Sequence, residues 1–435
     1  MTDDSEGVAE AFAATKNNAF ILEVDCPVYM HVGLDVTRTV WVDHGTHVDF
    51  SPAGLLIVDN VLIPSFVIAD THDVRLTNWN MKYVGSVPID QTTNGYYDDG
   101  NWVPVAKLIP STYFNDVLLT QWLASHRNVT FTWPSRAKWA GSADDSAIFY
   151  LTGNTSDIDV ENMHVWVPKS ASGDHYIPMV FAFTPTQASD QTVTIDTPLM
   201  QPYYAVPSNL TFSGITLDGT YFGFQGSAQN MSISNVVSYR YGDLQDANGG
   251  NVGGIGDWFA PPHLFYLNYD PNGDPSLFNQ NITIKNVIDY GERVGAPRDT
   301  TSGNCYSLKL GSIHGAVSNY ASFRPDGLMD VLPSTDLTLS DLTASYDSSF
   351  LHGAYPMIRF PMGPYHGVTF TNVKLQDTAQ STSDAPVWGN YDSSNTNIIF
   401  SNTSATLLQW TGTKPPGQPY FAGTGNSVDV QISFQ

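Results

Sequence analysis

This chain has few charges and very few basic ones. Of 435 residues only 14% are Asp, Glu, Lys or Arg, with 18 basic against 42 acidic and a formal charge of -24. That balance argues against a nucleic-acid binder, whose footprint would be basic. A polyanionic substrate would need a local basic patch on an acidic body. Long apolar runs are also missing, so no stretch reads as a membrane span. There are only two cysteines, Cys26 and Cys305, far apart in the sequence. They read as buried thiols rather than a disulfide framework, and no Cys/His pair stands at zinc spacing. The opening Met1-Thr-Asp-Asp-Ser-Glu-Gly7 is acidic and lacks the apolar core of a signal peptide. Little Lys beside abundant Ser, Thr, Asn, Gly, Tyr and Trp fits a secreted, periplasmic or cell-surface protein.

What the chain does have is a repeat. A polar residue, alternating apolar residues, a bend at Asn, Asp or Gly and renewed alternation recur at intervals of about 20 to 30 residues or their double. Copies start at Asp73, Asp157, Asn209, Asn230, Asn281, Asp336, Gly367 and Asn397, with bends at Asn78, Asn162, Gly214, Asn235, Asn286, Asp341, Asn372 and Asn402. A degenerate copy starts at His314 and a partial one at Asn128. Asn, Asp and Gly tolerate left-handed backbone, and stacked Asn side chains form amide ladders. One copy cannot bury its apolar face alone, but coils stacked about 4.8 Å apart bury a continuous core. The pattern predicts an all-β fold, a right-handed parallel β-helix in one domain spanning 1–435. Residues 1–19 form an N-terminal segment with a capping helix at 7–16. Residues 84–145 and 241–262 break the period and are expected as inserted loops, the usual place for a binding face. The repeat also explains most Asn-X-Ser/Thr sequons, such as Asn209, Asn230 and Asn281, because they begin copies.

The scarce charges concentrate between residues 240 and 359. Three apolar strands each carry one: Lys309 in Tyr306–Gly311, Asp330 in Gly327–Leu332 and Arg359 in Pro356–Pro361. Aligning the copies brings Arg240, Arg293 and Arg324 to nearly the same height on neighbouring coils, and Tyr266, Lys309, Asp330 and Arg359 onto the strands that follow. Bridging salt links between rungs would be the plain explanation of any one of them. A whole cluster beside two insertions is how a site is built on rigid strands.

Two chemistries suit it. In β-elimination at a uronic acid, a cation neutralises the sugar carboxylate, a base takes the C5 proton and an acid protonates the leaving oxygen. Lys309, Arg324, Asp330 and Asp326 are the catalytic candidates. Arg240, His263, Tyr266, Arg293, Arg298, Arg359, Asp257 and Trp258 are the substrate-binding ones. Alternatively a pair of carboxyl groups, Asp326 with Asp330 or Asp257 with Asp330, hydrolyses a glycosidic bond. No motif demands a cofactor. Asn268–Pro275 is acidic and Gly-rich like a calcium loop but lacks the twelve-residue spacing, so Ca2+ is only an option.

The bend repeats, the stretch from Leu308-Lys-Leu to Arg324-Pro-Asp-Gly327 and the aromatic insertions resemble the right-handed β-helix polysaccharide lyases and glycosidases. Lys309 followed one coil later by Arg324 is similar to the base-and-acid pair of the alginate lyase and chondroitinase B type. The resemblance implies a polysaccharide or oligosaccharide substrate and a monomer or a trimer. A third class, a non-catalytic carbohydrate-binding or tailspike-like solenoid, fits the same repeat.

Overall fold

A computed structural model describes residues 3–16, 20–33, 38–51, 54–60, 64–84, 96–98, 101–103, 131–132, 147–166, 179–184, 192–193, 206–220, 222–241, 243–246, 263–267, 279–293, 320–324, 327–331, 333–346, 358–360, 365–377, 387–390, 398–401, 408–411 and 430–433. The chain is a right-handed parallel β-helix. Two parallel sheets run its length. The first is a 15-stranded bent sheet. Its rungs include Ser156–Trp166, Ser208–Thr220, Gln229–Tyr241, Asn279–Arg293, Ser334–Tyr346 and Thr369–Asp377. In the first coils its two arms are separate strands, such as His72–Thr77 and Asn80–Tyr83, which both pair with Ser156–Trp166. The second is a straight, 10-stranded sheet. It includes Phe66–Ala69, Ala147–Thr152, Met179–Thr184, Phe222–Gly226, His263–Leu267, Gly327–Val331 and Ile358–Phe360.

The repeat shows directly in the backbone. Start residues Asp73, Asp157, Asn209, Asn230, Asn281 and Asp336 all have φ between 53° and 57°. Bend residues Asn78, Asn162, Asn235, Asn286, Asp341 and Asn372 lie between 54° and 59°, with Gly214 at 70°. Each of these copies therefore turns left-handed twice, where Asn and Asp cost least.

Both turns stack as ladders. In the start column Asn209 Nδ2 donates to Asp157 Oδ1 at 3.2 Å, Asn230 to Asn209 at 3.2 Å and Asn281 to Asn230 at 2.9 Å. In the bend column Asn162 donates to Asn78 at 3.3 Å and Asn286 to Asn235 at 3.2 Å. Gly214 interrupts that column, so Asn235 donates instead to Ser213 Oγ at 3.3 Å.

The core lies between the sheets. Along the straight sheet Phe66, Phe149, Phe181, Phe224 and Phe265 stack at 5.0, 5.3, 5.1 and 5.4 Å between ring centroids. Trp79 and Phe212 of the bent sheet meet them edge-on across the core. Each buried Phe contributes roughly 1.5–3 kcal/mol by leaving water. The helix Ser5–Thr15 closes the N-terminal end. Its Phe12, 2% exposed, packs on Phe66 and Trp79. A capped end is what a stack of otherwise open rungs needs.

Several expectations need correcting. Cys26 is exposed, because it sits in the turn after Ile21–Val24 on the first coil; Cys305 lies outside the described residues. The copy expected at His314 is not a bent-sheet rung between Asn279–Arg293 and Ser334–Tyr346, since those two pair directly. Tyr320–Arg324 instead runs antiparallel to Asp243–Asp246. Nor is the partial copy at Asn128 a rung: Phe131–Thr132 pairs antiparallel with Thr192–Val193. The helix-like stretch within 84–145 lies outside the described residues. No described helix is long and apolar enough to cross a membrane.

Candidate functional site

The site follows from alternation in the straight sheet. Phe149, Phe181, Phe224 and Phe265 point into the core, so their next neighbours face outward. Those neighbours form one column by register: Val67, Tyr150, Ala182, Gln225, Tyr266 and Asp330, with Arg359 next in the backbone register. Successive members stand about 4.8 Å apart. The column changes character along the axis. Its N-terminal part is apolar or small, and from Gln225 onward it is polar.

Outward positions of a solenoid usually meet water, but these are buried. Gln225 and Tyr266 are 8% exposed, and Asp330 and His263 only 2%. The His263 imidazole stacks on the Tyr266 ring, with centroids 5.2 Å apart and planes within 9°. Gln225 Oε1 is buried and accepts no hydrogen bond among the described residues. A buried acceptor left unmatched costs about 1–3 kcal/mol, a cost that a ligand hydroxyl would remove.

Tyr266, Asp330 and Arg359 therefore stand on three consecutive rungs, as the strand alignment expected. Arg359 is placed by its backbone beside Asp330. Lys309 lies outside the described residues. His263–Leu267 pairs directly with Gly327–Val331.

Arg240 and Arg293 lie one residue apart in register on adjacent rungs of the bent sheet, Arg240 opposite Asp218 and Glu292 and Arg293 opposite Tyr241, whereas Arg324 is not on that sheet. Arg324 is opposite Asp243 in the antiparallel ribbon that precedes Gly327–Val331. Asp257, Trp258, Arg298, Asp326 and the loop 268–275 lie outside the described residues. Among the described residues no cluster of three His, Cys, Asp or Glu could hold a metal.

Sequence reasoning missed Gln225. Its signal was present: in Phe222-Gly-Phe-Gln-Gly226 the inward Phe224 sends its neighbour outward.

A concavity of about 590 Å3 lies on the first arm of the bent sheet and includes His47, Asp73, Arg75 and Asp159 in its lining. Its charges are mutually paired. Arg75 Nη2 reaches Glu161 Oε2 at 3.1 Å and Arg75 Nε reaches Asp159 Oδ2 at 4.0 Å. Burial, then the neighbouring Glu161, pushes the Asp159 carboxyl above its usual range, and Arg75 opposes this. On the second arm, burial lowers the His164 imidazole, with Asp218 opposing.

No family model matches the chain, and no curated protein does. Among solved structures it is similar to the surface adhesin PfbA of Streptococcus pneumoniae. That match is 11% identical with a TM-score of 0.30, over 99% of this chain and 76% of the adhesin. The family 28 exopolygalacturonase of Yersinia enterocolitica is 9% identical with a TM-score of 0.32, over 99% of this chain and 75% of that one. Tailspike protein 2 of an Escherichia coli O157:H7 bacteriophage is 7% identical with a TM-score of 0.20, over 99% and 39%. The parallel β-helix stands on the chain's own hydrogen-bond register.

Proposed function

We propose that this chain is a secreted carbohydrate-active enzyme that cleaves a polysaccharide at a uronic acid by β-elimination. The supporting observation is the outward column Gln225, Tyr266, Asp330 and Arg359 on consecutive rungs, with His263 stacked on Tyr266. The column's N-terminal part carries no charge, so a buried carboxylate, phenol and imidazole, with an arginine next in register, are a concentration of chemistry.

Each group has a role in that reaction. Arg359 neutralises the sugar carboxylate, since its fork suits a planar anion. Asp330, on the adjacent rung, positions that guanidinium. His263 is the base, because an imidazole titrates near neutrality. It takes the C5 proton, the electron pair forms the C4–C5 double bond and the C4–O bond breaks. Tyr266 delivers a proton to the leaving oxygen. Gln225 Oε1 accepts a sugar hydroxyl.

Incubation with a panel of polyuronates tests this. The expected result is growing ultraviolet absorbance from the unsaturated uronate product. Reducing ends released without that absorbance would replace elimination with hydrolysis. The burial of Asp330 favours that second reading, with Asp330 as its general acid. No turnover of any uronate or neutral polysaccharide would overturn both and leave a binding solenoid.

A further inference from the structure

The second arm of the bent sheet carries a feature that the column does not use. Of the large hydrophobic side chains exposed among the described residues, three stand together: Tyr239 at 39%, Ile288 at 42% and Tyr290 at 51%. Tyr239 and Tyr290 come from adjacent rungs. Their rings are parallel within 6° and 5.1 Å apart. The register shift between Ser238 and Arg240 leaves Tyr239 as an extra residue opposite Asp218. A bulge of this kind re-aims a side chain and is retained where that aim matters.

The patch continues along the axis. Two rungs before Tyr239 stands Trp166, in register with Asp218. Lys82 Nζ lies 5.3 Å from the Trp166 ring centroid, and Trp166 Nε1 donates to Asn80 Oδ1 at 3.3 Å. One column over are His164, Thr216, Val237 and Ile288. Trp166 to Tyr290 spans three rung steps, about 14 Å. The strip is thus narrow, runs along the axis and alternates ring edges with hydroxyl, carboxylate and imidazole groups.

We propose that this strip is a second carbohydrate-binding site, which holds a polysaccharide strand along the solenoid axis away from the cleavage column. The class of ligand rests on the polysaccharide reading given above. Sugar rings present C–H patches beside hydroxyls, and the strip offers apolar rings beside hydrogen-bonding groups at the same scale. A protein partner fits it poorly. A stable interface needs about 800 Å2 per partner with an apolar centre. Here the apolar part is one column wide and polar groups interrupt it.

Native electrophoresis through gels holding soluble neutral or uronic polysaccharides tests the site. Wild-type protein should be retarded by at least one of them. The double variant Tyr239→Ala/Tyr290→Ala should lose about tenfold or more in affinity, while it cleaves short oligosaccharides at the wild-type rate. Tyr290→Trp, which keeps a ring, should stay retarded. Circular dichroism confirms that each variant is folded.

Equal retardation of wild type and the double variant overturns the strip, as does no retardation of wild type in any gel. Tyrosine-dependent retardation without any turnover would instead sink the cleavage column and leave the strip standing.

Discussion

The outer faces of the two sheets differ in a way that separates scaffold from site. On the bent sheet's first arm the ionisable residues His47, Arg75 and Asp159 of the early coils give way to small hydroxyl residues: Thr211, Ser232, Thr283, Thr338 and Thr369 continue the same register column. The straight sheet shows no such monotony. Its column runs from Val67 and Ala182 to Gln225, Tyr266 and Asp330, and the polar members are buried. A position that only has to face water can repeat the same residue. A position that changes at every rung, and buries polar groups in doing so, is answering to something besides the stack. Burying those groups is costly unless each finds a partner.

Breaking the straight-sheet side of this contrast should have the largest effect. His263→Ala or Asp330→Ala is expected to lower turnover of the cleaved polysaccharide by about 100- to 10,000-fold, with the circular dichroism spectrum retained. If both variants keep full activity, the column is not the site. Truncating the shared core comes next. Phe181→Ala opens a hole in the phenylalanine stack and should cost about 3–5 kcal/mol in denaturant unfolding.

The bent sheet should respond less. Gly214 has φ 70°, and a Cβ there would come within 2.7 Å of Asn162 Oδ1. Gly214→Ala is expected to cost about 1–3 kcal/mol without touching activity. The smallest effect belongs to Asp159. Its folded carboxyl is raised, first by burial, so the folded state holds that proton more tightly than the unfolded chain. Its contribution is therefore greatest below the ordinary carboxylate range and falls as pH rises through the raised value. Asp159→Asn should flatten that part of the stability–pH curve slightly, since the side chain is 39% exposed. An unchanged curve would show that Asp159 does not titrate as its burial implies.

The same contrast explains what the sequence revealed. The bent sheet was legible because each rung is marked twice by a residue that accepts left-handed backbone. Asn209 and Gly214, or Asn281 and Asn286, fix register without any structure. The straight strands carry no such marker. Their register is inherited through connections of unequal length. Leu267 to Asn279 is a short link, whereas Arg293 to Gly327 is long and includes the Tyr320–Arg324 ribbon. Tyr266, Asp330 and Arg359 were still placed together, because each stands in a short apolar strand that follows a marked copy. Gln225 and the Tyr239–Tyr290 pair were not found. The first looks like one polar residue among glycines, and the second depends on a bulge.

The ladder bonds join residues at very unequal separations. Asn230 reaches Asn209 across 21 positions, whereas Asn162 reaches Asn78 across 84. Closing the longer loop means two further doublings of length, about 1.2 kcal/mol of extra entropy. Stacking should therefore nucleate where Ser208–Thr220 meets Gln229–Tyr241, and the coils before residue 84 should dock afterwards onto that finished edge. Pulse-labelled hydrogen exchange during refolding would show it, with the Met231 amide protected before that of Val74; the reverse order would place the nucleus at the helix-capped end.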